Sequence, residues 1–323
     1  MSDLTPIVIA HRGASGYLPE HSLAAKALAH GFGADYLEQD VVLTQDGVPL
    51  VLHDLWLEEV TDVARVFAGR ARDDGHFYAV DFTLDEVRQL NLLERRAPGS
   101  ATRLREGRFS ADQVRMPVVT LDEELAFIRA LNASTGREAG VYTEVKFPAF
   151  HRRHGLDASR IVLETLGRHG YRRSTDKAFV QCFDPQELAR IRNELHCGLR
   201  LVQLIGENAW GDSDADYEAM RRPAGLDAIA RVADGIGPWI PQVLNWKPDG
   251  TPETTDLVAL AHARGLVVHA YTLRCDQLPP HAPDLAAVHA ALFGLARVDG
   301  LFSDFPDRTL AALRPAGLPC GTG

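Results

Sequence analysis

The sequence predicts an α/β protein built as a TIM (β/α)8 barrel. Short apolar runs alternate with amphipathic helical stretches over most of the chain, which favours a parallel sheet covered by helices. Apolar runs such as Leu266-Val-Val-His-Ala270 are continuous, as in strands that are buried on both faces. Length alone would suggest about two domains, but 323 residues also fit one barrel with insertions.

Each predicted element follows from a local pattern. Strands are expected at Pro6–Ala10, Tyr36–Val42, Val48–His53, Val141–Val145, Ala178–Gln181, Leu199–Leu204, Leu266–Ala270 and Gly300–Phe302. Helices are expected at Pro19–His30, Leu84–Leu90, Asp122–Leu131, Asp157–Arg168, Pro185–Glu194, Leu226–Ala233 and Thr254–Arg264. Two helices begin with a capping box, at Thr83-Leu-Asp-Glu86 and Thr120-Leu-Asp-Glu123. We expect a single domain over residues 1–323.

Two stretches break this alternation. Residues 55–117 are rich in Arg, Asp and Gly, and we expect them to form an insertion after the second barrel strand. Trp210-Gly-Asp-Ser-Asp-Ala-Asp216 is a second long loop. Insertions on the active-site face of a barrel usually shape substrate access, which is our interpretation of the longer stretch. For the Trp210 loop, a solvated excursion without contact to substrate is an equal alternative.

Charge and hydropathy exclude several kinds of partner. The protein has a formal net charge of -10 and therefore lacks the excess of basic residues that is typical of nucleic-acid-binding proteins. No nucleic-acid partner is expected. A small phosphorylated substrate is compatible with this charge, because one bound cation reverses the local field. No apolar run is long enough to cross a bilayer, so stable membrane insertion is not expected. A homodimer is left open.

The cysteines and the start of the chain give weaker indications. Cys182, Cys197, Cys275 and Cys320 form no CxxC pair, which favours small buried side chains or a free thiol, with a Cys182–Cys197 disulfide left open. Residues 1–5 lack the basic and apolar regions of a secretory signal. This predicts a cytoplasmic protein, or a periplasmic one if the chain is a trimmed mature form.

Two histidines follow predicted strands. In His11-Arg-Gly13, histidine suits proton transfer near neutral pH, arginine suits phosphate oxygens, and glycine allows close backbone approach. His53-Asp54 ends another apolar run, after Asp46-Gly47, which suits a hairpin-like turn. Asp54 would either orient the imidazole or face solvent. For either histidine alone, a structural role at a strand end is the simpler interpretation.

Carboxylates recur at the same kind of position. Glu38 and Asp40 are two residues apart in a strand and therefore share a face. Adjacent carboxylates repel unless a cation or a shared proton compensates, and their oxygens suit Mg²⁺ or Ca²⁺. A solvated edge strand is the alternative, which the apolar flank Val41-Val-Leu43 disfavours. Glu144 and Lys146 share a face by the same rule, either as a third ligand and a phosphate-binding cation or as a simple ion pair.

Together these residues form a set that suits phosphodiester hydrolysis. We expect them at the C-terminal ends of the first strand regions, which converge on one mouth in a barrel. A metal would neutralise phosphate oxygens, cations would stabilise the developing charge, and an acid and a base would move protons. The set is His11, Arg12, Glu38, Asp40, His53, Glu144 and Lys146.

In their order, these motifs resemble the glycerophosphodiester phosphodiesterase family, from about Ile7 to Leu313. The matching tracts are His11-Arg-Gly13, Pro19-Glu20, Gly33-Ala-Asp35, Glu38-Gln-Asp40, Thr44-Gln-Asp-Gly47, His53-Asp54, Glu144-Val-Lys146 and Asp299-Gly-Leu-Phe-Ser-Asp-Phe-Pro306. The chain looks closest to the bacterial periplasmic, calcium-dependent branch, through tracts such as Gln181-Cys-Phe-Asp184 and His269-Ala-Tyr-Thr272. His21, Cys182 and Tyr271 stand where the family at large often has Asn, Ser and Trp, which bears on subgroup and substrate.

The resemblance implies hydrolysis of glycerophosphodiesters, such as glycerophosphocholine or glycerophosphoethanolamine, to glycerol 3-phosphate and an alcohol. It implies a divalent metal, Ca²⁺ with Mg²⁺ as the alternative. The implied roles are acid–base catalysis for His11 and His53, metal binding for Glu38, Asp40 and Glu144, phosphate binding for Arg12 and Lys146, and pocket lining for Gln181, Phe183 and Tyr271. The alternatives are a lysophospholipid or sphingolipid head-group phosphodiesterase and a non-catalytic binding module. The lack of a basic amphipathic stretch disfavours the first, and the complete residue set disfavours the second.

Overall fold

The computed structural model describes residues 5–100, 102–109, 114–211 and 213–313. The strands are β1 Ile7–Ala10, β2 Tyr36–Leu43, β3 Pro49–Val51, β4 Gly140–Val145, β5 Ala178–Cys182, β6 Arg200–Ile205, β7 Gly235–Pro238, β8 Leu244–Trp246, β9 Pro252–Thr254, β10 Val267–Leu273 and β11 Gly300–Ser303. The α-helices are α1 Leu23–Phe32, α2 Val63–Val66, α3 Leu84–Val87, α4 Leu121–Thr135, α5 Pro148–Arg153, α6 Ala158–Arg168, α7 Pro185–Asn193, α8 Tyr217–Met220, α9 Pro223–Ile229, α10 Leu257–His262, α11 Leu285–His289 and α12 Pro306–Leu313.

Within this described part, eight parallel strands close into a barrel. Their order around the barrel is β1, β2, β4, β5, β6, β7, β10 and β11. β1 pairs with β11 along its whole length and with β2 at Ile9 and Ala10, so that the barrel sheet closes on itself. The predicted TIM barrel is therefore confirmed.

β3 does not run in the expected direction. The sequence analysis placed His53 at the end of a strand that converges on the barrel mouth together with the other strands. β3 pairs antiparallel with the upper end of β2, with Val41 opposite Val51. The chain reverses at Gly47, whose φ of 76° favours glycine, and the N–H of Leu52 then donates to the carbonyl of Asp40 at 3.0 Å. His53 therefore reaches the mouth on a returning hairpin.

Several other elements differ from their predicted form. α1 begins at Leu23 rather than Pro19, because the hydroxyl of Ser22 accepts a hydrogen bond from the N–H of Ala25 and caps the helix there. The barrel strand β7 was not predicted, since its sequence, Gly235-Ile-Gly-Pro238, contains the residues that usually interrupt strands. The β8–β9 hairpin and helices α2, α5, α8, α11 and α12 were not predicted either.

Three hydrophobic clusters are formed by the residues that the structure describes. One lies between the barrel strands and the surrounding helices. A second fills part of the barrel interior and includes the aromatic rings of Tyr36, Tyr142, Phe179 and Phe302. The third, with Leu57 and Phe82 fully buried, joins residues of the 55–117 segment to residues of β2 and β3. That segment therefore packs directly on the hairpin that carries His53.

Two further expectations can be compared with the structure. Cys182, Cys197 and Cys275 are free thiols, so the disulfide left open between the first two is not formed, and Cys320 lies outside the described residues. None of the helices in the described ranges is both long and apolar enough to cross a membrane.

Candidate active site

The carboxyl ends of the barrel strands surround a cavity of about 320 Å³. All the residues that the sequence analysis assigned to the site line this cavity. Trp210, Trp239 and Arg274 line it as well. Trp210 belongs to the long loop for which two interpretations were open, and its side chain contributes to the cavity wall.

His11 follows β1 and is fixed from two sides. Its backbone N–H donates to the carbonyl of Ser303 at 3.0 Å, and its Nδ1 lies 2.7 Å from Oδ1 of Asp304. Burial, and then the charge of Arg12, lower the pKa of His11 to about 3. The imidazole is therefore neutral near pH 7, with Nδ1–H donating to Asp304 and Nε2 left as the basic nitrogen.

His53 has the same arrangement on the hairpin. Its Nδ1 lies 2.6 Å from Oδ1 of Asp54, so Asp54 orients the ring rather than facing solvent alone. Its Nε2 lies 3.3 Å from Nζ of Lys146. Burial, and then the charges of Arg12 and Lys146, lower the pKa of His53 to about 4. Both histidines are thus neutral bases in the free protein.

Arg12 occupies a tight turn between β1 and α1. Gly13, with a φ of 86°, makes that turn possible, and a Cβ atom there would lie 2.8 Å from the backbone of Ala25. The backbone N–H of Arg12 donates to Oε2 of Glu38 at 2.5 Å, and its Nη1 donates to Glu20 at 2.9 Å. Arg12 is therefore held by Glu38 through its backbone and by Glu20 through its side chain.

Glu38 and Asp40 lie side by side in β2, and each is about 1% exposed. Burial, and then the charge of Asp40, raise the pKa of Glu38 well above its usual range. Nε2 of His21 lies 2.9 Å from Oδ2 of Asp40. Donor atoms of His21, Glu38 and Asp40 lie within 4.8 Å of one another, which makes this group a possible metal site. Two buried, mutually repelling carboxylates are the environment that a divalent cation compensates, so the residues fit such an ion.

Glu144 lies next to this group but is not part of it. It is opposite Asp40 in the β2–β4 register, and its Oε1 is 2.8 Å from Nζ of Lys146. Burial raises the pKa of Glu144 to about 8, although Lys146 opposes the shift. The predicted ligand set of Glu38, Asp40 and Glu144 is therefore brought to one cavity, while His21 supplies the third donor of the tightest group.

Aromatic side chains form the less polar part of the wall. The hydroxyl of Tyr271 donates to the carbonyl of Ile205 at 2.8 Å, and the rings of Phe183 and Tyr271 meet edge to face. Gln181, from β5, has its side-chain oxygen buried without a hydrogen-bond partner among the described residues. An apolar wall facing a polar one suits a substrate with a charged centre and an organic substituent.

Sequence reasoning missed several residues that contact the site. Asp304 was noted only within the Asp299–Pro306 tract, although an acid directly after the last strand could have been recognised as a candidate. His21 was noted only as a departure from the family. Arg95 and Arg108 lie in the 55–117 segment, and no local pattern distinguishes them from its other arginines.

A closed barrel with two carboxylate-bound histidines, buried acids and cations at its mouth defines a class, the hydrolases that act on phosphate esters. The model of the Glycerophosphoryl diester phosphodiesterase family matches residues 11–308. The chain belongs to this family and is therefore a phosphoric diester hydrolase, which confirms the resemblance at the level of the family.

Two relatives and two solved structures illustrate the similarity. The chain is 38% identical over 327 residues to a glycerophosphodiester phosphodiesterase of Haemophilus influenzae, covering 95% of this chain and 90% of the relative. It is 36% identical over 320 residues to one of Treponema pallidum, covering 93% and 90%. A glycerophosphodiester phosphodiesterase from Agrobacterium tumefaciens superposes with a TM-score of 0.63 at 22% identity, covering 95% of this chain and 99% of that one. An Oleispira antarctica phosphodiesterase, in complex with the product sn-glycerol-3-phosphate, superposes with a TM-score of 0.66 at 19% identity, covering 96% and 97%. The two structures support the fold alone.

Proposed function

We propose that this enzyme hydrolyses glycerophosphodiesters to glycerol 3-phosphate and a free alcohol. The observation that carries the proposal is that His11 and His53 line one cavity, each with Nδ1 bound by a carboxylate, at 2.7 Å and 2.6 Å. Because Nδ1 is bound in both rings, Nε2 is the nitrogen that each can offer to a substrate. One ring would remove a proton from the nucleophile and the other would protonate the leaving oxygen. The names of the relatives support this substrate class.

The protonation states fit such a cycle. Both rings are neutral near pH 7, so the ring that acts as the base is ready without prior loss of a proton. A bound phosphodiester anion would raise the pKa of the adjacent imidazole, since an opposite charge favours the protonated form. Arg12 and Lys146 would contact the phosphate oxygens, and Gln181, Phe183 and Tyr271 would line the space for the rest of the substrate.

Glu38, Asp40 and Glu144 would hold a divalent cation, with His21 bound to Asp40 behind them. We assign Ca²⁺, with Mg²⁺ as the alternative, because calcium accepts irregular sets of oxygen ligands. When bound, the cation supplies Lewis-acid polarisation of the phosphoryl oxygens. This ion corresponds to the calcium-dependent branch of the family. We further propose that residues 55–117 act as an insertion within a single catalytic domain.

The decisive experiment measures release of glycerol 3-phosphate from glycerophosphocholine by the purified protein. Activity is measured with EDTA and after separate addition of Ca²⁺ and Mg²⁺. We expect activity to vanish with EDTA and to return with Ca²⁺. Absence of product under every ion would contradict the proposed substrate class, and recovery with Mg²⁺ alone would contradict the assigned metal.

Replacement of either histidine tests the mechanism directly. We expect His11→Ala and His53→Ala to lower kcat by about 10²- to 10⁴-fold, the usual contribution of a general acid or base. His76→Ala is a matched control, because His76 also binds a carboxylate, Glu58, but lies in the insertion away from the cavity. Wild-type kcat in a folded His11→Ala protein, with folding checked by circular dichroism, would exclude the proposed acid–base pair.

A further inference from the structure

Two arginines of the insertion contact the carboxylates that hold the histidines. Nη2 of Arg108 donates to Oδ2 of Asp304 at 2.7 Å, while Oδ1 of Asp304 binds His11. Nη1 of Arg95 lies 2.6 Å from Oδ2 of Asp54, while Oδ1 of Asp54 binds His53. Each aspartate therefore uses one oxygen for a histidine and pairs the other with an arginine of residues 55–117, and Oδ2 of Asp304 also accepts a hydrogen bond from Nε of Arg274, at 3.1 Å.

Both arginines are buried and bound by additional groups. Their side chains are only 10% and 6% exposed, for Arg95 and Arg108 respectively. Arg95 also donates two hydrogen bonds to Glu20, at 2.8 and 2.6 Å, and Arg108 donates two to Asp276, at 2.8 and 3.0 Å. Desolvating a guanidinium is costly, and these multiple acidic partners compensate the cost. Neither side chain is free to leave its aspartate without losing several bonds.

These contacts act on the orientation of the carboxylates. A carboxylate bound through both oxygens cannot rotate, so the hydrogen bond that it accepts from Nδ1–H of its histidine has a fixed direction. The positive charges also keep the aspartates ionised. Although burial opposes the shift, Arg274, His11 and Arg108 lower the pKa of Asp304, and Arg95 and His53 lower the pKa of Asp54. An ionised acceptor fixes the tautomer that places the basic nitrogen at Nε2.

A contact that served only to attach the insertion would have no reason to select these two acids. Glu20 and Asp276 already bind the same arginines and would be sufficient to hold them. The same pattern nevertheless occurs twice, at histidines that come from different elements. The repetition is what distinguishes a functional arrangement from general attachment.

We infer that Arg95 and Arg108 are positioning residues for the hydrolysis, through which the insertion fixes the two aspartates that orient His11 and His53. The inference rests on the proposed acid–base roles of those histidines. It implies that the catalytic site is complete only when residues 55–117 are docked on the barrel.

The first test compares Arg95→Met and Arg108→Met with the wild-type enzyme on glycerophosphocholine. We expect kcat to fall by about 10- to 100-fold, as for other groups that orient a reacting side chain, with KM changed by less than about threefold. Arg95→Lys and Arg108→Lys should recover part of the loss, since lysine keeps the charge but not the planar fork. Arg72→Met is the control. Arg72 binds Asp81 through two hydrogen bonds of 2.7 Å inside the insertion, and its loss should leave kcat unchanged.

A double-mutant cycle separates positioning from general loosening of the structure. If Arg108 acts through Asp304, Arg108→Met should cost little further activity in an Asp304→Asn background. The same holds for Arg95→Met in an Asp54→Asn background. In the non-matching pairs, Arg108→Met with Asp54→Asn and Arg95→Met with Asp304→Asn, the fold-losses in kcat of the two single variants should multiply. A methionine variant that does not fold is replaced by its lysine counterpart, which is expected to fold and to show an intermediate kcat.

Two results would overturn the inference. One is wild-type kcat in the folded Arg95 and Arg108 variants, and the other is full multiplicative loss in the matching asparagine backgrounds. Either result together with an inactive His11→Ala protein would remove only this inference. An active His11→Ala protein would remove the proposed acid–base function itself.

Discussion

At the scale of single residues, the main feature of the site is its buried charged side chains. Glu20 and Asp40 are carboxylates with little access to water, and each lies next to a cationic or imidazole group. Ion pairs of this kind contribute little net stability, because desolvation offsets most of the attraction. Their value is geometric, since each bond fixes the direction of a side chain that faces the cavity.

Removal of one carboxylate should weaken metal binding measurably. A bound ion stabilises the folded state by about 2.7 kcal/mol at a hundredfold excess over its Kd, so Ca²⁺ should raise the Tm of EDTA-treated protein. Glu38→Gln should largely abolish this rise, because it removes one of the two adjacent charges. Glu253→Gln, a change at an exposed carboxylate, should retain the rise. Equal Ca²⁺-dependent shifts in both variants would argue against a metal at Glu38.

Site residues could be predicted where the residues that interact are close together in the sequence, and not where they are far apart. Glu38 with Asp40, and Glu144 with Lys146, could be paired from sequence because the period of a strand is local. The contact between Arg108 and Asp304 joins residues 196 positions apart. No spacing rule reaches that far, so the role proposed for Arg95 and Arg108 emerges only from the folded chain.

At the scale of elements, the β2–β3 hairpin shows how a correct motif can lie on an unexpected strand. The turn at Asp46-Gly47 and the pair His53-Asp54 were both recognised in the sequence. The direction in which β3 delivers His53 was not, because the run after the turn was counted with the strands that converge on the mouth, although a hairpin-like turn implies an antiparallel partner.

Helix α5 contains a histidine that should make stability depend on pH. His151 is fully buried, and neither ring nitrogen has a hydrogen-bond partner among the described residues. Burial, and then the charge of His154, lower the pKa of His151 to about 4, against about 6.5 in an unfolded chain. Between these values only the unfolded chain binds the proton, so stability falls as the pH falls from about 6.5 towards 4.

His151→Leu should therefore reduce the acid sensitivity of the fold. The free energy of unfolding is measured with urea for the variant and for wild type. The value for the variant minus that for wild type should be larger at pH 5 than at pH 7.5. The pH 7.5 measurement is the internal control, because His151 is neutral there in both states. A difference between variant and wild type that does not change with pH would contradict the assignment of a neutral, buried imidazole.

At the scale of the whole molecule, small and large residues alternate inside the barrel. A Cβ atom on Gly235 would lie 2.5 Å from Val267, and one on Gly300 would lie 2.7 Å from both His269 and Ile7. The ring of His269 cannot move away easily, since Nδ1 bonds to the hydroxyl of Tyr142 at 2.8 Å. The glycines therefore make room for the bulky residues of neighbouring strands.

Gly300→Ala should destabilise the protein by about 1–3 kcal/mol through overpacking. Gly294→Ala is the matched control, because no atom outside its chain neighbours and its own helix backbone lies within 4 Å of its Cβ position, and alanine there should be neutral or slightly stabilising. Thermal unfolding of both variants makes the comparison. Equal Tm values would show that the barrel interior is less tightly packed than the structure indicates.

The same packing explains why the fold was predictable but one of its strands was not. Continuous apolar runs and helix caps were sufficient for the barrel as a whole. β7 escaped recognition because its glycines are required by the side chains of Leu204 and Val267 on adjacent strands. Their presence is a property of the closed barrel rather than of the segment itself.

Closure of the barrel by β1 and β11 has a consequence for the biosynthesis of the enzyme. His11 and the aspartate that binds it, Asp304, are 293 positions apart. A ribosome must therefore translate past residue 304 before any nascent chain can contain that pair. In a cell-free translation reaction, the first release of glycerol 3-phosphate would mark the time at which the last strand has docked. The enzyme would thus act as its own reporter of completed folding.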